Sequence, residues 1–370
     1  MRAEWQTKTL GEVLTLEYGK PLPKEDRGDN GLYSAYGANG IKCRTNQYFY
    51  DKPSIIVGRK GSAGEVTLTE DKFWPLDVTF YATFDQEKYD LKFLYLALKS
   101  LNLQQYAKGV KPGINRNDVY QIEFAFPPLE EQKQIIALLD EAFEGIAIAE
   151  ANVEKNLANA RELFESTVNR TFFDHGESWD ADRLGNVCEN LDSQRVPITK
   201  SKRKKGDIPY YGASDVVDYV QDYLFNEDLL LVSEDGANLL ARTYPIAFSI
   251  SGKTWVNNHA HVLRFKNIYA QKFIQYYLNS ISLEPYVSGM AQPKLNQKSL
   301  NSIQVPQPAI GKQKEAVEII DAVYAQVQRL QDIYKLKLKN LTDLKQSLLE
   351  KAFSGELMAE KADFEKVAAE

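Results

Sequence analysis

Residues Gln132 to Phe173 read QKQIIALLDEAFEGIAIAEANVEKNLANARELFESTVNRTFF. The stretch has no proline and one glycine, Gly145. Apolar residues recur three or four apart, at Ile135, Leu139, Ala142, Ile146, Ala149, Val153, Leu157, Ala160 and Leu163, with Glu, Lys, Asn and Arg on the other faces. This spacing predicts one helix sustained for several heptads. At about 1.5 Å per residue the segment makes a rod of roughly 60 Å, too long to lie inside one small domain. Such a rod needs a partner along its length.

A second proline-free stretch, Gln313 to Phe353, supplies the partner, with Val317, Ile320, Tyr324, Val327, Leu330, Tyr334, Leu338, Leu341, Leu344 and Leu348 in the same rhythm. Both rods follow proline-containing entries, Phe126-Pro127-Pro128-Leu129-Glu130-Glu131-Gln132 and Gln307-Pro308-Ala309-Ile310-Gly311-Lys312-Gln313. Their ends match too, Leu163, Ser166 and Phe172 against Leu344, Ser347 and Phe353, at the offset that separates Gln132 from Gln313. The chain is therefore an internal duplication.

The duplication extends to the segments before each rod. Leu10-Gly11-Glu12-Val13 is answered by Leu184-Gly185-Asn186-Val187, Tyr36-Gly37-Ala38-Asn39 by Tyr211-Gly212-Ala213-Ser214, Ile55-Ile56-Val57 by Leu230-Leu231-Val232, and Gly61 by Gly236. Further on, Trp74 is answered by Trp255 and Pro112 to Asn115 by Pro293 to Asn296. Each globule reads as mixed α/β. In the first, short β-branched runs near 53–58, 66–68 and 78–84 predict strands, 89–103 predicts a helix, and 121–126 predicts a last strand. Residues 176–182 read as a polar link, and 357–370 as a frayed helix or disordered tail.

With 370 residues, 44% hydrophobic and 26% charged, the chain has room for two or three globular domains. No apolar run is long enough to span a bilayer, and Met1-Arg2-Ala3-Glu4-Trp5 lacks the apolar core of a signal peptide. Two cysteines in unlike surroundings, Cys43 and Cys188, fit reduced thiols in a cytoplasmic protein. A net charge of −6 argues against a generally basic surface but leaves room for a local basic face. Catalytic patterns fail on inspection. Gly252-Lys253-Thr254 lacks the upstream glycine of a phosphate-binding loop, since Ala247 stands there. His259-Ala260-His261 has no evident third metal ligand and reads as two polar groups on one strand face. Glu234-Asp235 is matched by Arg59-Lys60, so a catalytic role would not be common to the copies. The reading is a non-enzyme with no metal.

Binding residues stand out more. Lys200, Lys202, Arg203, Lys204 and Lys205 form a dense basic run, with Lys20, Lys24 and Arg27 at a similar place in the first copy. Either this is a solvated loop or it contacts phosphate. Arg59, Lys60 and Ser62 stand against Glu234 and Asn238 in matched glycine loops of opposite charge. Such a pairing suits base readout, because Arg and Lys match guanine, Asn and Gln adenine, and Glu and Asp the cytosine amine; ordinary turn chemistry is the alternative. Lys111, Asn115 and Arg116 against Gln292, Lys294 and Asn296 form a third matched pair. Tyr36 and Tyr211 of the Tyr-Gly segments complete the DNA-contact candidates.

Taken together, Trp255-Val256-Asn257-Asn258-His259-Ala260-His261-Val262-Leu263, Tyr211-Gly212-Ala213-Ser214, Pro127-Pro128-Leu129-Glu130-Glu131-Gln132 and Ser347 to Leu357 resemble the specificity subunit of a Type I restriction–modification system. The resemblance covers nearly the whole chain in the order globule, rod, globule, rod. It implies an α+β fold: two similar α/β target recognition domains (1–130 and 176–311) separated by two long helices (131–175 and 312–356) packed as an antiparallel coiled coil, with a tail at 357–370. It implies that each domain reads one half of a split, asymmetric DNA target, with rod length setting the spacer. It also implies that the helices dock two modification subunits carrying S-adenosylmethionine, and that restriction subunits using ATP and Mg join them, while this chain carries no cofactor. The first copy departs from the pattern at Trp74-Pro75-Leu76-Asp77-Val78, where the Asn-Asn-His-Ala-His of the second is missing. Two other classes fit the sequence: a coiled-coil scaffold whose globules bind protein, and a part of a fused enzyme whose catalytic portion lies elsewhere.

Overall fold

The computed structural model describes residues 5–174, 179–289 and 292–360. The chain forms two compact units: one comprises 1–153 with 336–370, the other 154–335. Each unit joins one globule to a segment of each long helix.

In the first unit, Leu14–Tyr18, Thr79–Phe84, Ser54–Gly58 and Val66–Thr69 lie in that order in an antiparallel sheet. A smaller sheet pairs Gly40–Thr45 antiparallel and Phe73–Pro75 parallel with Tyr33–Gly37. Ser54–Gly58 is buried throughout, as the apolar run Ile55-Ile56-Val57 requires of a central strand, and the Ser54 hydroxyl donates to Ala82 O at 2.7 Å. Helix Leu91–Ser100 starts on Asp90, whose side chain accepts the Phe93 N–H, and buries Phe93, Leu94, Ala97 and Leu98 against the core. The strands and helix expected from periodicity are present; the short helix Arg116–Tyr120 gave no periodic signal in five residues.

The second unit repeats the plan. Its sheets run Glu189–Asn190, Ala260–Arg264, Leu229–Ser233, Ala247–Ile250 and Val216–Val220, Lys205–Tyr211, Lys253–Val256, Phe225–Asn226. Helix Ile268–Ser280 starts on Asn267 in the same manner.

The long helices are continuous over Leu129–Phe173 and Ile310–Ser354, 45 residues each. Within each unit their segments run antiparallel. In the first, Ile135 and Leu139 share a core with Ala352, and Lys345 donates to Glu150 at 2.8 Å. In the second, Val168 and Phe172 share a core with Ala316, Val317 and Ile320, and the Phe164 ring lies 5.4 Å from Tyr324. Four stripe positions differ from expectation. Leu163, Tyr324, Leu330 and Leu344 are 36–51% exposed. Phe164 turns inward in place of Leu163, because a straight helix drifts relative to a strict heptad and moves the contact by one residue.

The start of the tail is helical. The chain turns at Gly355, with φ +79°, and resumes helix over 356–360, where Leu357 and Met358 pack on the first core. Residues 175 and 361–370, and 176–178 of the polar link, lie outside the described residues. Cys43 and Cys188 are free thiols, and burial, with Asp192 nearby, pushes the Cys188 thiol up to about 12.

Candidate nucleic-acid interface

In the first unit three loops converge. The Tyr-Gly segment approaches the end of the central strand so closely that a Cβ on Gly58 would stand 2.5 Å from the Ala38 carbonyl. The glycine loop that follows, with Gly61 at φ +83°, is tied to the later loop: Gly61 N–H donates to Pro112 O at 2.9 Å and Ile114 N–H to Arg59 O at 3.0 Å. The second unit builds the same framework. Gly236 donates to Pro293 O at 3.0 Å, Leu295 to Glu234 O at 2.8 Å, and the Ser233 hydroxyl to Ala213 O at 2.6 Å. The matched loops predicted from sequence are therefore one surface in each unit.

Their side chains differ in kind. In the first unit the guanidinium of Arg59 lies 5.3 Å from the Tyr18 ring and that of Arg116 lies 4.8 Å from it. Arg59 Nη2 donates to Asp77 O and Arg116 Nη1 to Leu16 O. Arg59 Nε is buried with no acceptor, which costs about 1–3 kcal/mol. Lys60, Ser62 and Lys111 are exposed beside them. Lys20 sits 4.8 Å from the Phe49 ring. Among the described residues none of Lys20, Arg59, Lys60, Lys111 and Arg116 has a carboxylate partner.

In the second unit the position of Arg59 is taken by Glu234, and its carboxylate is enclosed. Arg195 Nη1 donates to it at 2.7 Å and Lys294 lies at 3.2 Å. Arg195 also donates to Ala260 O at 2.6 Å and stands 3.4 Å from Asp192. His261, 1% exposed, joins Asp192 through Nδ1 at 2.6 Å and Leu295 O through Nε2 at 2.7 Å. A carbonyl only accepts, so Nε2 donates there, and the ionised Asp192 accepts from Nδ1. Burial would raise the Asp192 carboxyl, but the His261 hydrogen bond and charge, the Val262 N–H and the Arg195 charge hold it below the ordinary range. Asp192, Glu234 and His261 are close enough to ligate an ion. Arg195 already supplies positive charge at both carboxylates. The cluster reads as a buried ion-pair network rather than as a metal centre.

Several predicted contact residues have partners within the fold. Glu234 is enclosed as described, so it is not free to accept from a cytosine amine. Tyr36 is buried, edge-to-face with Phe73 at 5.8 Å. Asn115 and Asn296 cap helices, accepting the N–H of Asn117 and Ser299 at 3.0 and 2.9 Å. Asn238 is tied by both ends of its amide to the Tyr244 backbone. Arg27 clamps Leu22 O, and Arg203 clamps Ile198 O, pairs with Asp218 at 2.9 Å and lies 4.3 Å from the Tyr210 ring. Lys24, Lys200, Lys202, Lys204, Lys205 and Gln292 are exposed, and Tyr211 is half-buried 6.1 Å from Phe248. The two strand histidines do not share an environment: His259 is half exposed and meets Asp235 at 2.8 Å, whereas His261 is in the core. Tyr18, Asp192 and Arg195 escape a motif search. The duplication carries a signal for two of them, since Asp192 stands where Tyr18 stands in the first copy, at the offset that relates Leu10 to Leu184.

Comparison with known proteins agrees with this duplicated plan. The model of the Type I restriction modification DNA specificity domain matches residues 2–158 and again 176–340. A protein of Mycoplasma genitalium named as a type I specificity subunit is 27% identical over 377 residues, covering 94% of both chains. One of Haemophilus influenzae, named as a type I restriction enzyme specificity subunit, is 35% identical over 160 residues, spanning 42% of this chain and 41% of that one. A solved structure titled for complex assembly and conformational transition of the type I R-M system shares the fold, with TM-score 0.74 at 18% identity over 95% of this chain and 97% of that one. Two copies of one loop framework, each matched separately by the same domain, place this chain in the Type I restriction modification DNA specificity family, as a non-catalytic specificity subunit.

Proposed function

We propose that the chain reads a split, asymmetric DNA target, one half with each recognition domain, on behalf of a methylating complex. The observation that carries this is the matched loop framework bearing unlike side chains, Lys60 and Lys111 in one copy and Asp235 and Gln292 in the other, on the same backbone hydrogen bonds. A common scaffold with divergent loops is what two readers of different half-sites need. The exposed lysines 200, 202, 204 and 205, with Lys24 and Lys111, supply sequence-independent attraction to phosphate.

The long helices carry apolar residues that the fold leaves uncovered: Ile148, Leu163, Ile333 and Leu336 are 50–58% exposed. We assign these faces to two modification subunits, which would bring S-adenosylmethionine; restriction subunits would bring ATP and Mg. No described helix is long and apolar enough to cross a membrane, and a cytoplasmic setting fits DNA as the ligand.

Co-expression with the neighbouring modification subunit in a methylation-free host, followed by sequencing of modified bases, tests the proposal. A split motif with a fixed spacer is expected. A stable complex that methylates nothing would favour a protein-binding scaffold and overturn the assignment.

A further inference from the structure

We propose that Arg59, held on Tyr18 beside Arg116, reads a guanine in one half-site. This rests on the DNA-reading function above and names what one reader recognises. Arg59 and Arg116 share the Tyr18 ring, and among the described residues neither they nor Lys20, Lys60 and Lys111 has a carboxylate partner, whereas the matched position of the second unit is neutralised internally by Arg195 and Lys294. Two guanidiniums against one ring repel each other, so the site as built favours an acceptor-rich ligand between or over them.

The stack also selects the kind of acceptor. Tyr18 is 49% exposed and offers a flat face to both arginines. Anchoring through Asp77 O and Leu16 O fixes each fork and leaves Arg59 Nη1 and Arg116 Nη2 without a described partner. A fixed planar donor set suits the O6 and N7 acceptors of guanine in the major groove. Phosphate asks only for charge, and the unanchored Lys60 and Lys111 alongside provide that.

The test compares methylomes of complexes containing the full-length wild-type chain and the Arg59→Gln chain, each co-expressed with the modification subunit. The wild-type motif should contain a guanine at a fixed place in one half-site. Arg59→Gln should relax that base, lowering discrimination about tenfold, while the other half-site and the spacer stay unchanged. A motif identical to wild type, or a uniform fall in methylation with the motif intact (a phosphate contact), would overturn the assignment. If the variant complex does not assemble, the wild-type complex decides: 7-deazaguanine at the assigned position should weaken binding about tenfold, and unchanged affinity overturns the assignment. A wild-type complex that methylates no split motif would remove the DNA-reading function itself.

Discussion

Gln132 and Gln313 hold the entries of the two long helices in the same way: each buried amide donates to the carbonyl of the proline five residues before it, Pro127 at 2.8 Å and Pro308 at 2.9 Å. The proline carbonyls lie just before their helices and would otherwise be buried unpaired. The two residues are not equally committed. Gln132 also donates to Lys88 O and accepts the Asp90 N–H at 2.8 Å, tying the helix to its recognition domain, whereas Gln313 Oε1 has no partner. Replacement by Ala should therefore cost about 2–4 kcal/mol at Gln132 and roughly half that at Gln313. Equilibrium unfolding of the two variants checks the ranking, and equal losses would contradict it.

The second domain should show an acid sensitivity that one residue controls. Asp192 is held below its ordinary pKa in the folded chain, so it binds a proton less readily there than when unfolded. Its contribution to stability is then complete at neutral pH and is lost as pH falls through the depressed folded value. Asp192→Asn should destabilise by about 3 kcal/mol at pH 7, since it leaves His261 and Arg195 short of a buried partner. The gap from wild type should close at acid pH. Thermal melts at neutral pH and near pH 3 measure both effects; a gap independent of pH would show that Asp192 acts by shape alone.

The same residues explain how far the sequence is legible. Helix periodicity and β-branched runs are local signals, and the elements they predict form because the burial they demand is supplied. The duplication extends their reach, pairing loops that lie 175–181 residues apart. Side-chain duty is another matter. Asn115 reads equally as a base contact and as a cap, and only the Asn117 N–H above it decides. Glu234 opposite Arg59 looks like a change of base preference until Arg195, 39 residues earlier, is seen to close on it. Whether a charge faces solvent or its own fold depends on partners distant in sequence, and composition carries no record of them.

Phe164 and Leu163 separate these two kinds of information. The heptad pattern points Leu163 inward, yet it is 51% exposed, while Phe164 lies 5.4 Å from Tyr324 and 6.4 Å from Tyr276, whose hydroxyl donates to Asp321. Leu163→Ala should change stability by less than about 0.5 kcal/mol, and Phe164→Ala should cost about 2–4 kcal/mol by opening the aromatic cluster. Unfolding curves of both variants decide; the reverse order would restore the heptad reading. If Leu163 contacts a modification subunit, Leu163→Glu should weaken complex formation without altering the melt of the isolated chain.

The basic run of the second domain divides by the same criterion. Arg203 is engaged by Ile198 O, Asp218 and the Tyr210 ring, so Arg203→Ala should loosen its loop. Lys200, Lys202, Lys204 and Lys205 are exposed and are the residues available to phosphate. Changing these four to Gln should weaken binding to all duplexes alike and leave the methylated motif intact. It should also flatten the dependence of log affinity on log salt by roughly 0.9 for each phosphate no longer neutralised. Binding by the assembled complex between low and moderate salt measures the slope. A changed motif with an unchanged slope would mean that the run reads bases, and an unchanged slope with full affinity would leave it a solvated loop.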